Sequence, residues 1–339
     1  TVTSVPTTGG GTVVNESGLP PIGPNPAGTG EIADGDPANE SNQSEITSGT
    51  ITFSTPDGFG SLAINNIVIT GAGQVITTPK GTFTVTGFNP ATGTLNYTFT
   101  LTDNVDNSGG GNVTEILTVK VTDADGDSDT EPFTITIVDD EPIAVNDTDT
   151  IASGSNGPAT GNVITDTDPG DAGDGDTGAD TPGADGARIT FIDHSNAAPG
   201  ASVPNGGFTD ISGQYGTLRI YSNGDYSYTR NAGQGGGQNE VFTYTLTDGD
   251  TDAKTATLTI LIADSAPVAL DVNAFVDDDG LGGNPACEPA NGDQNQNAGE
   301  TGAGIGNEAI WTGKLGVSPG TGTDTPLSYK LVQPANRLV

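Results

Sequence analysis

Cysteine is almost missing from this chain: Cys287 is the single one in 339 residues, so no intrachain disulfide can form. Small extracellular domains often depend on such cross-links, and a chain without them needs another kind. Methionine is absent altogether, so Thr1 is not expected to be a translation start and the chain reads as a fragment or a processed product. There is one histidine, His194. With no cysteine pair beside it, a His-rich or Cys-rich zinc site is excluded. His194, next to Asp193 at the end of a strand pattern, reads as a plain surface residue. An enzyme is therefore not expected. No apolar run approaches the ~18 residues of a membrane span, so direct insertion into a bilayer is not expected either. Positive charge is scarce too, with 9 Lys+Arg against 44 Asp+Glu and a net charge of −35. Such a surface repels phosphate backbones and anionic lipids, which argues against nucleic acid or a membrane surface as partner.

What is present is strand and turn chemistry. Hydrophobic residues make up only 32%, while Gly 52 and Pro 22 are heavy. Threonine, valine and isoleucine recur, and branching at Cβ suits a pleated surface. Apolar and polar residues alternate in Gly49–Ser54, Ser61–Thr70, Gly81–Thr86, Thr94–Leu101, Val113–Thr122 and Pro132–Val138. The same alternation marks Arg188–Ile192, Thr217–Ser222, Asp225–Thr229, Glu240–Thr247 and Thr255–Ala263. Asn223-Gly224 between two such runs predicts a type I′ hairpin turn. Tyr221, Tyr226 and Tyr228, with Trp311, read as packing residues rather than as a sugar-stacking platform. Two stretches, Pro20–Ser44 and Asp166–Gly186, lack strand pattern and read as surface loops, flexible or ordered by a cation. Six Asn-x-Ser/Thr triplets (from Asn15, Asn39, Asn42, Asn96, Asn112 and Asn146) are what chance gives in so Asn- and Thr-rich a chain. The fold expected is all-β: tandem immunoglobulin-like or cadherin-like β-sandwich domains with acidic calcium-binding linkers.

An internal comparison gives the organisation. Asp123 to Ala144 (DADGDSDTEPFTITIVDDEPIA) aligns without a gap on Asp248 to Ala269 (DGDTDAKTATLTILIADSAPVA) at an offset of 125 residues. Asp123, Asp125, Asp127 and Asp139 fall on Asp248, Asp250, Asp252 and Asp264. A second echo links Val14-Asn-Glu-Ser-Gly-Leu19 with Val276-Asp-Asp-Asp-Gly-Leu281. We therefore expect one domain at about 1–142, a second at 143–267 and an incomplete third at 268–339 that resembles the first.

Dense carboxylates repel one another until a hard divalent ion neutralises them, and all-oxygen ligands suit calcium. Asp123, Asp125 and Asp127 would stand ~7 Å apart along one face of a straight strand, but a turn at Gly126 can gather them. The hinge residues Asp139, Asp140 and Glu141, with Asn146 and Asp147 beyond Pro142, offer the rest of a 6–8-oxygen shell. A second hinge would use Asp248, Asp250, Asp252 and Asp264, with Asp271 beyond; Ser265 replaces the counterpart of Asp140 there. Position 128 is Ser and position 134 is Thr, so the EF-hand loop is not matched.

The run V-T-D-A-D-G-D, an alternating strand and V-D-D-E-P-I-A resembles the repeats of giant type I-secreted bacterial adhesins of the RTX class. The middle unit is similar to the VCBS repeat at Ala144–Asp147, Thr160–Val163, Tyr215–Leu218, Asn223–Tyr228 and Tyr244–Asp248. That resemblance implies an extracellular, calcium-binding extender in attachment and biofilm formation. Its partners would be neighbouring repeats of the same chain, other copies of itself, or surface glycans. Two other readings stay open: a subunit of an extracellular filament, sheath or surface layer, and a carbohydrate- or ice-binding module.

Overall fold

The computed structural model describes residues 1–6, 11–30, 43–108, 112–167, 178–195 and 199–264, and the pairing of Val268–Ala269 with Val317–Ser318. Cys287, Trp311 and Asp271, and most of the expected third unit, lie outside the described residues.

The described chain is all-β, with one turn of 3-10 helix at Glu16–Gly18. The first sandwich is built from β1 (Val2–Ser4), β2 (Val13–Asn15), β3 (Ile46–Phe53), β4 (Phe59–Ile64), β5 (Ile67–Val68), β6 (Val75–Thr77), β7 (Gly81–Asn89), β8 (Thr94–Leu101), β9 (Val113–Asp123) and β10 (Ser128–Val138). They form two sheets in the orders β1-β3-β8-β7-β6 and β2-β10-β9-β4-β5. The second uses β11 (Asp147–Ile151), β12 (Ala159–Asn162), β13 (Ala187–His194), β14 (Ala201–Ser202), β15 (Phe208–Ser212), β16 (Gly216–Tyr221), β17 (Asp225–Arg230), β18 (Gln238–Asp248) and β19 (Ala253–Ile262). Its sheets run β11-β19-β18-β13-β14 and β12-β17-β16-β15. The two sandwiches thus share one strand order, with β1 as an addition. The motifs, which set the middle unit apart, do not show this.

Alternation fills each core. Along β8, Leu95, Tyr97, Phe99 and Leu101 are buried; Phe83 stacks on Tyr97 at 5.0 Å and Phe133 meets it edge-on at 5.0 Å. Along β18 the inward column is Glu240, Phe242, Tyr244, Leu246 and Asp248, so an apolar column is capped by an acid at each end. Tyr226 and Tyr228 are core residues, as their packing role requires. Two expectations are corrected. His194 is buried on the inward face of β13, with Nε2 3.2 Å from Glu240 Oε1, because the alternation that buries Ile192 also turns His194 inward. The β16–β17 turn has positive φ only at Gly224 (+92°) and closes by Gly224 N–H to the Tyr221 carbonyl at 3.0 Å, so it is not type I′.

The chain forms two compact bodies. The larger (Thr1–Thr150, Pro158–Arg230, Asn239–Leu261) contains the body of both sandwiches. The smaller is Ile151–Gly157, Asn231–Gln238 and Ile262–Val339; within it Gly237 N–H donates to the Ile262 carbonyl at 2.8 Å and Ala263 N–H to Ile151 at 3.0 Å.

Candidate metal centre at the sandwich junction

Register brings the acids together. Strand β2 runs parallel to β10 with Asn15 opposite Val138, so the next residues, Glu16 and Asp139, leave the sheet side by side. Asp139 also opens the crossing into the second sandwich. On the receiving side Ala187 pairs with Asp248, which places Asp185, just before β13, beside the β18–β19 turn. That turn is held by Asp248 N–H to the Asp252 carbonyl at 3.0 Å and Asp252 N–H to Asp248 Oδ1 at 2.7 Å.

The result is two overlapping acid groups. Glu16, Asp139 and Asp185 each offer an oxygen within 4.8 Å of the others, and so do Asp139, Asp250 and Asp252. Asp139 belongs to both. Glu16 is 1% exposed and Asp250 4%. Glu16 Oε2, Asp139 Oδ1, Asp185 Oδ2, Asp248 Oδ2 and both oxygens of Asp250 are buried without a hydrogen-bond partner. Buried carboxylate oxygens are almost always paired, since stripping them of water costs several kcal/mol (roughly) per ion.

The electrostatics agree. Burial, then Asp185, pushes the Glu16 carboxyl up to about 8, against the Val105 N–H at 2.5 Å. Burial and the contact with Asp250 raise Asp248 to about 8. The contact with Asp139 raises Asp252 to about 6, and burial raises Asp185. Every shift resolved in this cluster is upward, the mark of a site short of positive charge. In the solvent-exposed turn of the first sandwich the sign reverses. There a hydrogen bond with Asp125, and then turn amides, hold Asp123 below the usual range.

Asp140 has a different task. Its carboxylate accepts Thr29 N–H at 2.8 Å, the Thr29 hydroxyl, and Ala184 N–H at 3.0 Å, stapling one sandwich to the other. Asn104 donates to Asp185, and Asn25 donates to Asn104 at 3.1 Å. The surface pair Lys254–Glu141 adds little.

Of the residues singled out in the sequence, the structure joins Asp139 with Asp250 and Asp252, and sets Asp248 beside Asp250. The sequence spacing places Asp139 at one hinge and Asp248, Asp250 and Asp252 at another. It does not join Asp123, Asp125 and Asp127 to Asp139: they form their own group at the other end of β10, whose eleven residues span roughly 35 Å. Their turn repeats the Asp248–Asp252 geometry, with Asp123 N–H to the Asp127 carbonyl at 3.0 Å. The offset of 125 therefore relates equivalent ends of two sandwiches. Asn146 accepts the Thr257 amide at 3.0 Å and Asp147 the Tyr244 hydroxyl at 2.9 Å, and neither belongs to the acid groups. Asp264 lies in the smaller body beside Gly236 and Gly237. Sequence reasoning passed over Glu16 and Asp185. Glu16 lies inside the Val14–Leu19 motif and Asp185 at the end of the patternless 166–186 stretch, so both were in view without an assigned role.

Five carboxylates from four chain segments (Glu16, Asp139, Asp185, and the Asp250/Asp252 turn) meet here, with no nitrogen or sulfur ligand in either group. That donor set fits a hard cation of flexible geometry, calcium before magnesium or zinc.

No protein-family model matches the chain, and no curated protein matches it. Among solved structures it is similar to a mouse clustered protocadherin fragment, PcdhgC3 EC1-3, at 15% identity, covering 77% of this chain and 67% of that one, TM-score 0.24. A four-domain PcdhgB3 fragment is 14% identical over 69% of this chain and 50% of that chain, TM-score 0.22. The Ig1-2 module of the Drosophila receptor protein tyrosine phosphatase DLAR is 12% identical over 75% and 95%, TM-score 0.20. At such scores nothing about function passes from those proteins to this one.

Proposed function

We propose that this chain is a calcium-stiffened extender segment of a bacterial surface or secreted adhesin, acting mechanically and not as an enzyme. The observation that carries this reading is the set of buried, unpartnered carboxylate oxygens drawn from both sandwiches into one cluster. Left bare, these groups repel and cost desolvation energy. A calcium ion would neutralise them and tie Glu16 and Asp139 of one sandwich to Asp185, Asp250 and Asp252 of the next. Its binding free energy then becomes folding and hinge-restricting free energy. Extracellular modules bind calcium at about 10⁻⁴–10⁻³ M, so the chain would be loose inside a cell and a stiff rod outside it, between neighbouring repeats of its own kind.

Thermal unfolding with calcium and with chelator tests the reading, combined with small-angle scattering. A rise in melting temperature of many degrees and a narrower spread of interdomain angles are expected with calcium. Superimposable curves in the two conditions would remove it.

The filament reading has one observation in its favour. The edge strands β5 and β6 expose Ile67, Val68 and Val75 at 45%, 52% and 58%, and an exposed apolar edge can pair with that of another chain. Electron microscopy of calcium-loaded material separates the two, since ordered polymers belong to the filament and isolated rods to the extender.

A further inference from the structure

The second sandwich also buries a pair of acids outside the two junction groups. Asp147 opens β11 and is 5% exposed; Asp180, in the 178–186 segment, is 7% exposed. Tyr244 of β18 points its hydroxyl between them. Its Oη lies 2.9 Å from Asp147 Oδ2, 3.1 and 3.2 Å from Asp180 Oδ1 and Oδ2, and 2.8 Å from the Val145 carbonyl. Asp180 Oδ1 also accepts the Val145 N–H at 2.7 Å.

The hydrogens do not add up if both acids are ionised. A phenol carries one hydrogen and can donate it once. Three acceptor groups surround Tyr244 Oη at hydrogen-bond distance. Once the phenol hydrogen is given to Asp147 or to Val145, Asp180 still faces the phenol oxygen. That contact is attractive only if a carboxyl supplies its own hydrogen. Two ionised carboxylates within reach of one oxygen in a dry pocket would instead repel. The proton belongs on Asp180 Oδ2, because Oδ1 is already occupied by the Val145 amide.

We propose that Asp147 and Asp180 share one proton across the Tyr244 hydroxyl, forming a clamp that holds when one of them is protonated and slackens when both are ionised. The clamp ties the chain leaving the linker to the segment that carries Asp185. Ile143 N–H donates to the Thr181 carbonyl at 2.8 Å, Thr181 N–H returns to Ile143 at 2.9 Å, and Asp180 N–H donates to Ile164 at 3.0 Å. The charges acting on the phenol are Asp147 from β11 and Asp180 from its own segment. Asp166, earlier in the chain, is a further acid whose Oδ2 accepts the Gly178 amide at 3.3 Å. Burial pushes the Asp180 carboxyl up to about 6, with the Val145 amide and the phenol pulling the other way. A folded value above the unfolded one means the clamp's stabilisation is complete only below the ordinary aspartate value of 3.8 and is lost as pH rises through about 6.

The clamp does not require the junction to bind a cation, and the test is arranged accordingly. Carboxyl-carbon NMR of aspartate-labelled protein is followed over pH in chelator and again in calcium. Asp252 also lies near 6 in chelator, so the Asp180 signal is assigned by its loss in Asp180→Asn and is expected near 6 in both conditions. The Asp147→Asn variant serves as a second probe: the surviving Asp180 carboxyl then titrates at least about one pH unit lower, the like charge being gone. If both carboxyls ionise together in the ordinary aspartate range, or if the Asp180 signal stays near 6 in Asp147→Asn, no proton is shared. A failure of calcium to bind would leave the chelator titration untouched.

Discussion

Asp250 buries both its carboxylate oxygens without a partner, yet it is the residue a cation would use most directly. These two facts give Asp250→Asn opposite effects in two buffers. In chelator the variant removes a like charge from a crowded, dry cluster and should gain about 1–2 kcal/mol. In calcium it removes a charged ligand and should lose most of the metal-dependent stabilisation. Denaturant midpoints in the two buffers measure both, and a variant destabilised equally in each would show a packing role only. The neighbour, Thr251, is informative for another reason. It holds φ at +95°, where its counterpart in the other acidic turn is Gly126 at +104°. A β-branched residue in that region is strained by about 1–3 kcal/mol. Thr251→Gly is expected to stabilise the calcium-loaded protein by roughly 1 kcal/mol, after the entropy that glycine costs. A loss in the same unfolding measurement would mean that the threonine side chain contributes more than its backbone costs.

Elements deliver these residues, and the elements were unequally legible. Runs such as Thr94–Leu101 and Pro132–Val138 were readable because one face is apolar and the other is threonine. Strand β11 was not, because its buried positions are Asp147, Asp149 and Ile151, with Tyr244 and Tyr226 hydroxyls answering the two acids. Polar burial of that kind leaves no hydrophobic alternation to detect. The acid spacings were also readable, but period alone does not say which end of a sandwich a turn faces. The parallel register of β2 on β10, which sets Glu16 beside Asp139, is a long-range pairing without a local signature. Nor did spacing separate Asp140 from its neighbour, although Asp139 keeps an oxygen unpartnered while Asp140 takes three donors. Asp140→Ala should cost about 2–4 kcal/mol, since Thr29 and Ala184 lose a charged acceptor. Because the staple needs no metal, that loss is expected in chelator as well as in calcium. A loss confined to calcium would instead make Asp140 a ligand.

For the molecule as a whole, the net charge of −35 opposes compaction everywhere, while the junction opposes it at one place. Salt and calcium separate these two contributions. Monovalent salt shortens the reach of surface repulsion to about 8–10 Å near physiological strength, so it relaxes the diffuse term. It cannot supply the divalent charge that a cluster with Glu16 and Asp250 buried and Asp139, Asp185 and Asp252 half-buried lacks. Sodium chloride added in chelator should therefore raise the melting temperature gradually and without saturation, leaving the hinge loose in scattering. Calcium should act at far lower concentration, saturate, and narrow the hinge. Magnesium should follow weakly, because it demands a smaller, near-octahedral shell and gives up its waters reluctantly. If equal ionic strengths of sodium and calcium salts gave the same melting curve, the stabilisation would be screening alone. Protons on Glu16 and Asp248, whose values burial raises to about 8, would then relieve part of the repulsion near neutral pH.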